Sequence, residues 1–325
     1  MSDRQVLLYF AWSRPGETGA PLTTIDDRFP AIFELRRLFY PKFEGLSEPA
    51  RVDQGIGGFL DHVQKPNFAG FAAHAEQLTG QRVMQVERES NDGRIALLDN
   101  SLITTVDTII VIGFDSLRTN QSASQIEIDA VRDFLSGPDH LIAVCPHHDI
   151  GATAEATKEA RAARQLAEHL HHGDSAIPPR QGFGGFVRTL LAGLDVPVKN
   201  LFGLRPAVRN DGTPAEIDAE SSVDRLGLLQ GVETFNLHPH LPQLERIGAS
   251  TARMDVLARQ LIDLNAPPHP FTQHGRRTLD ALLQSRPETF AGTLLVSDTT
   301  LWSSTSGGLD SLTRLWSNVL TRGRM

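Results

Sequence analysis

The feature that most constrains this chain is a set of short, unbroken apolar runs, each stopped by glycine, proline or a polar cluster. Gln5–Ala11, Thr108–Gly113, the stretch opening at Leu141 and Gly292–Asp298 are of this kind. They are too short for buried helices and lack the alternation of a strand with one wet face. They therefore predict strands covered on both sides, as in a parallel sheet. Between them lie helical patterns. Phe68–Leu78 is closed by Gly80, and Gln125–Leu135 follows Ser124 as an N-cap and carries an apolar stripe of Ile128, Val131, Phe134 and Leu135. Gln81–Val86 supplies a further strand, so strand and helix alternate through the first half of the chain. The expected architecture is α/β: three layers, a mostly parallel sheet with helices on both faces.

The second half reads less regularly. Ala152–His172 is helical by propensity, Met254–Leu264 is a strand or a short helix, and Thr278–Gln284 is a helix by pattern. Leu309, Leu312, Leu315, Trp316, Val319 and Leu320 line one face of a closing helix, and Trp302 and Trp316 are expected in the core. No repeat or linker interrupts residues 1–325, so a single domain is expected, with insertions at about 16–67 and 173–230. The first insertion contains one helical run, Phe29–Phe39, and could wall a site.

Composition narrows the partners. A formal net charge of −8, with no basic cluster, gives no electrostatic footprint for nucleic acid or anionic lipid. The apolar runs fall far short of a membrane span, and the start lacks a signal-peptide pattern, so a cytoplasmic protein is expected. The single cysteine excludes an intrachain disulfide and a multi-thiolate zinc site. The run Gly182–Phe186 lacks the spacing of a phosphate-binding loop, so no nucleotide cofactor is indicated. A small-molecule substrate and a homo-oligomer are the expected partners.

The chemistry concentrates where strands stop. The Leu141 strand runs into Cys145, Pro146, His147, His148 and Asp149, and Val232–Pro242 runs into His238, Pro239 and His240. Open parallel sheets bind ligands beyond the carboxyl ends of their strands. If both termini lie there, His147, His148, His238 and His240 could hold a divalent metal, zinc first, with a carboxylate or thiolate beside them. Asp149 or Glu233 would then assist proton transfer. The open alternative makes Cys145 a nucleophile with one of the histidines as its base. Trp12, Asp115, His240 and Asp298, at or near strand ends, are candidates for substrate contact, and Asp115 and Asp298 could equally cap the helices that follow. His169, His171 and His172 are expected to be solvated at a helix end, and His269 and His274 to lie on the surface of a proline-rich loop.

The unit Thr108–Ile150, with Gly113, a helix ending at Phe134-Leu135 and a strand ending at Cys145, resembles the class I glutamine amidotransferase-like superfamily, which has a flavodoxin-like fold. His238-Pro239 resembles the family's later His-Pro. The resemblance implies a nucleophilic cysteine on a strand-to-helix elbow and hydrolysis of an amide-type C–N bond. The sequence departs from the pattern at the elbow, where Ala143 and His147 replace glycines and Pro146 lacks the N–H that would serve the oxyanion. His240 stands where a glutamate would orient the histidine. A metal-assisted small-molecule hydrolase accommodates these departures, because a metal activates water without that N–H. A non-catalytic binding domain on the same fold is the reading of another class.

Overall fold

The computed structural model describes residues 4–18, 65–115, 119–148, 157–173 and 184–323. The main sheet is built from β1 (Val6–Ser13), β2 (Met84–Glu89), β3 (Thr108–Gly113) and β4 (Leu141–Pro146). It is completed by β5 (Ile217–Ala219), β6 (Met254–Leu261), β7 (Thr278–Ser285) and β8 (Thr293–Ser297). The strand order is β2-β1-β3-β4-β8-β7-β6-β5. The pairs from β2 to β8 are parallel, and β7, β6 and β5 extend the sheet antiparallel.

The apolar runs behave as strands buried on both faces. Along β1, Val6, Leu8, Phe10 and Trp12 enter one core while Leu7, Tyr9 and Ala11 enter the other. β4 divides in the same way, Leu141, Ala143 and Cys145 against Ile142 and Val144. The first core is covered by α1 (Ala69–Thr79) and the closing helix α5 (Leu309–Thr321), with Trp302 and Trp316 both buried in it. The second is covered by α2 (Gln125–Phe134) and α4 (Gly185–Gly193). Between α2 and α4 in sequence lies α3 (Lys158–His172), which packs beyond the carboxyl edge of the sheet against Gly203–Leu204. Among the described residues no helix is long and apolar enough to cross a membrane.

Local signals account for most boundaries. Gly80 ends α1 in the left-handed conformation at φ 68°, which costs glycine nothing. Ser124 caps α2 in a full capping box with Glu127. One expectation fails: Thr278–Ser285 is not a helix but β7, held between β8 and β6. Leu279, Leu282 and Leu283 recur at helical spacing, but pairing along both edges of the segment decides its conformation. Met254–Leu261 is likewise a strand. Leu309 is turned to solvent rather than aligned with its apolar neighbours on α5. The helical run Phe29–Phe39 and the start of Ala152–His172 lie outside the described residues.

Glu127 joins three segments. Besides closing its cap, its carboxylate accepts from the Leu98 N–H at 3.2 Å and from Arg88 at 3.0 Å, and it is fully buried. Removing one partner of a buried ion pair leaves the other uncompensated. Glu127→Ala is expected to lower stability by about 3–5 kcal/mol in urea unfolding, far beyond the ~1 kcal/mol of a lost cap alone.

Candidate metal centre

β4 delivers its polar terminus to the centre of the carboxyl edge, between β3 and β8. His148 emerges there and is 1% exposed, yet among the described residues neither of its ring nitrogens has a hydrogen-bond partner. Buried polar groups are nearly always paired, and an unpaired one costs roughly 1–3 kcal/mol, so this ring asks for an explanation. Burial, reinforced by the neighbouring His147, His240, His172 and His238, holds its pKa well below the ordinary value. The ring is therefore neutral, the form that donates a lone pair to a metal.

The facing donors come from α3. Glu168 and His172 are four residues apart, so they share one face of the helix, and both are buried. Donor atoms of His148, Glu168 and His172 all lie within 4.8 Å of one another. His172 gives its Nε2–H to the Gly203 carbonyl at 2.9 Å, which selects the tautomer with its basic lone pair on Nδ1. Gly203 also makes the approach possible: a Cβ there would stand 2.7 Å from His148 Cδ2 and 2.9 Å from His172 Nε2. Glu168 Oε2 has no hydrogen-bond partner among the described residues, although the side chain is fully enclosed. Two imidazoles, one carboxylate and unsatisfied buried donor atoms fit a divalent cation.

A second group adjoins the first. The His147 ring stacks on Phe114 with centroids 4.6 Å apart, and its Nδ1 lies 3.3 Å from Asp298 Oδ2. The other Asp298 oxygen accepts from the Thr300 N–H at 2.8 Å, so the carboxylate is fixed by its own turn. The amide of Asn200 holds the His147 carbonyl. His238 and His240, both half-buried, bridge the two groups. His238 lies 5.3 Å from His147 between ring centroids, and His240 lies 5.1 Å from His148 and 4.1 Å from His172.

Other residues singled out by sequence fall elsewhere. The Cys145 thiol is fully buried in the first core at 3.5 Å from Ser297 Oγ, and burial pushes its pKa up, so the reactive thiolate is disfavoured. Trp12 is a core residue, stacked on Phe10 at 4.7 Å with its indole N–H given to Glu87, and has no surface to offer a substrate. Asp115 caps α4, accepting from the Phe186 N–H at 3.0 Å. Glu233 is exposed and lines a surface cavity with Arg209 and Arg314 that none of the histidines line. Asp149 lies outside the described residues.

Three histidines expected in solvent are buried instead. His171, His172 and His269 are at most 4% exposed, because the segments at 203–205 and 267–271 close over the end of α3; His274 is exposed as expected. His171 is not a ligand candidate, since both nitrogens are engaged: Nδ1–H donates to the Pro267 carbonyl at 2.8 Å and Nε2 accepts from the Arg205 N–H at 3.1 Å. Burial pushes its pKa down to about 4. Glu168 was missed as a ligand altogether; its spacing from His172 was the available signal. Compared with models of known families and with curated proteins, the chain matches none.

Chelator competition should detect binding of a divalent metal ion by the intact protein. His148→Ala and Glu168→Ala should each weaken it by roughly 100-fold or more, since loss of an outer partner alone costs 10–100-fold. The Trp12 neighbourhood gives a separate test. Burial would raise the Glu87 carboxyl, but hydrogen bonds from Arg14, Lys65 and Trp12 outweigh it and hold the group down to about 2. Because the folded pKa is depressed, the resulting stability is present above the ordinary value of 4.5 and is lost as pH falls toward 2. Unfolding midpoints measured across that window should fall less steeply in Glu87→Gln than in the parent.

Proposed function

We propose that this chain is a metal-dependent hydrolase that cleaves an amide-type C–N bond in a small molecule, on an amidotransferase-like α/β frame. The observation that carries the reading is the buried set His148, Glu168 and His172, whose ligand atoms lie within 4.8 Å of one another at the carboxyl edge of the sheet, with the His148 ring nitrogens and Glu168 Oε2 lacking hydrogen-bond partners among the described residues. Two histidines and a glutamate form a ligand set of hydrolytic zinc enzymes, which leaves a position open for water or substrate. When bound, the ion supplies the Lewis acidity that turns water into a nucleophile near neutral pH. The parallel strand order and the position of the histidines at the end of β4 support the amidotransferase-like frame.

The remaining work falls to His147 and Asp298. Breaking an amide requires a proton on the departing nitrogen, which is a poor leaving group as an anion. With Nδ1–H given to Asp298, the His147 ring presents Nε2 as the nitrogen that takes up and returns a proton. Phe114 fixes the plane of the ring, and the Asp298 carboxylate fixes its direction. His238, facing His147, is the side chain placed to contact substrate between the two groups. The cysteine route requires a thiolate at a site that burial disfavours, so the metal route is preferred.

Release of amine or ammonia from a panel of small amides, ureas and cyclic imides by zinc-loaded protein tests the reading. His147→Ala should lower kcat by about 10²–10⁴, the usual contribution of a positioned acid–base group, and should leave zinc affinity near the parent's. Loss of turnover on alkylation of Cys145 without loss of metal, or metal binding confined to iron(II) with no hydrolysis, would overturn it.

A further inference from the structure

Glu168 is unusual among the donors because its two oxygens live in different surroundings. Oε1 accepts from Arg164 Nε and Nη2, each at 3.2 Å, while Oε2 is the oxygen without a hydrogen-bond partner. On the Oε1 side stands His269, also fully enclosed, with Nε2 3.7 Å from Oε1. The His269 Nδ1 accepts the Phe271 N–H at 3.0 Å, so in the neutral ring the proton is on Nε2. His269 therefore cannot offer Nε2 as a metal ligand and can only donate from it. That N–H has no hydrogen-bond partner among the described residues, and Glu168 Oε1 is the carboxylate oxygen it faces at 3.7 Å, one short approach away from a hydrogen bond.

From this arrangement we infer that His269 is a positioning residue for the metal centre, holding Glu168 by Oε1 so that Oε2 is presented to the ion. The inference rests on the metal reading above and extends it to a segment, Ala266–Phe271, far from the ligands in sequence. Ligating carboxylates are commonly held by an outer donor that fixes which oxygen binds. Here the donor layer has two members of different kinds. Arg164 lies with its guanidinium 4.6 Å above the Phe202 ring, and Phe202 in turn packs edge-on against His269 with centroids 5.7 Å apart. Arg164 neutralises the carboxylate, whereas His269, clamped through Phe271, sets its direction. The same segment is latched to α3 a second time by the His171 N–H to the Pro267 carbonyl. The proline-rich stretch is thus an outer wall of the metal centre.

The test measures zinc and cobalt(II) affinity of the intact protein by chelator competition, for the parent, Glu168→Ala, His269→Phe, His269→Asn and His269→Gln. Unfolding midpoints of the metal-free forms are recorded alongside. Phenylalanine keeps the ring and removes the donor, asparagine is too short to carry a donor to Glu168, and glutamine returns an N–H near the position of Nε2. His269→Phe and His269→Asn should each weaken metal binding about 10–100-fold, and His269→Gln should bring it back to within a few-fold of the parent. Rescue by glutamine is the readout that a merely space-filling histidine would not give, and the asparagine variant carries the test if the phenylalanine variant does not fold. Parental affinity in both the phenylalanine and asparagine variants, or equal weakening in all three, would overturn the role of His269 while leaving the metal centre standing. No metal binding by the parent, or parental binding by Glu168→Ala, would overturn the centre and this inference with it.

Discussion

Burial of β1, β3, β4 and β8 on both faces is the constraint from which the remaining structure follows. Once α1 and α5 cover one side and α2 and α4 the other, the strand interiors can carry only apolar side chains, and their backbone groups are consumed by pairing. Polar chemistry is left with the strand ends. β4 lies near the middle of the eight-stranded sheet with a parallel partner on each side, so its terminus receives neighbours from either flank: Phe114 after β3, Asp298 after β8, and α3 from beyond the edge. Pro146, His147 and His148 therefore end the strand among side chains contributed by several elements.

The centre joins two kinds of order. His147 and Asp298 sit on rigid sheet termini and are each held by a neighbouring group, Asn200 and Thr300. Glu168 and His172 sit on a helix whose position depends on Gly203 lying close enough for two rings to touch the backbone. A frame of this kind can tolerate the enclosed His148 ring and Glu168 Oε2, which lack hydrogen-bond partners among the described residues, because the surrounding packing leaves them no alternative arrangement. It is the combination expected of a preorganised binding site rather than of a core that happens to contain histidines.

Four strands of the parallel half, β1, β3, β4 and β8, were legible because each is a continuous apolar run with a breaker behind it, whereas β2 is polar and begins at Met84 rather than at the expected Gln81. Thr108–Gly113 has the bounds its composition suggests. Ser124 and Gly80 marked helix ends by their own chemistry. Thr278–Ser285 misled because three leucines at helical spacing outweighed any local strand signal, and only its two partners, distant in sequence, make it a strand. The donor set was half legible for the same reason. His148 follows an evident strand, but the burial of Glu168, His172 and His269 is created by segments near 203 and 267, and nothing in the helix itself tells which of its faces will be covered. Trp12 illustrates the opposite error: its place at a strand end suggested a ligand contact, but alternation along β1 directs its ring into the core.

The insertion of β8 between β4 and β7 carries a consequence for how the chain is made. During synthesis β3 and β4 are complete long before Thr293–Ser297 leaves the ribosome, so one edge of β4 waits for its partner while well over a hundred residues are added. Late closure of a parallel pair is slow and leaves an open, apolar strand edge exposed to other chains. His147, at the end of that strand, waits for Asp298 through the same interval. One edge of a central strand therefore closes only after residue 297 has been made.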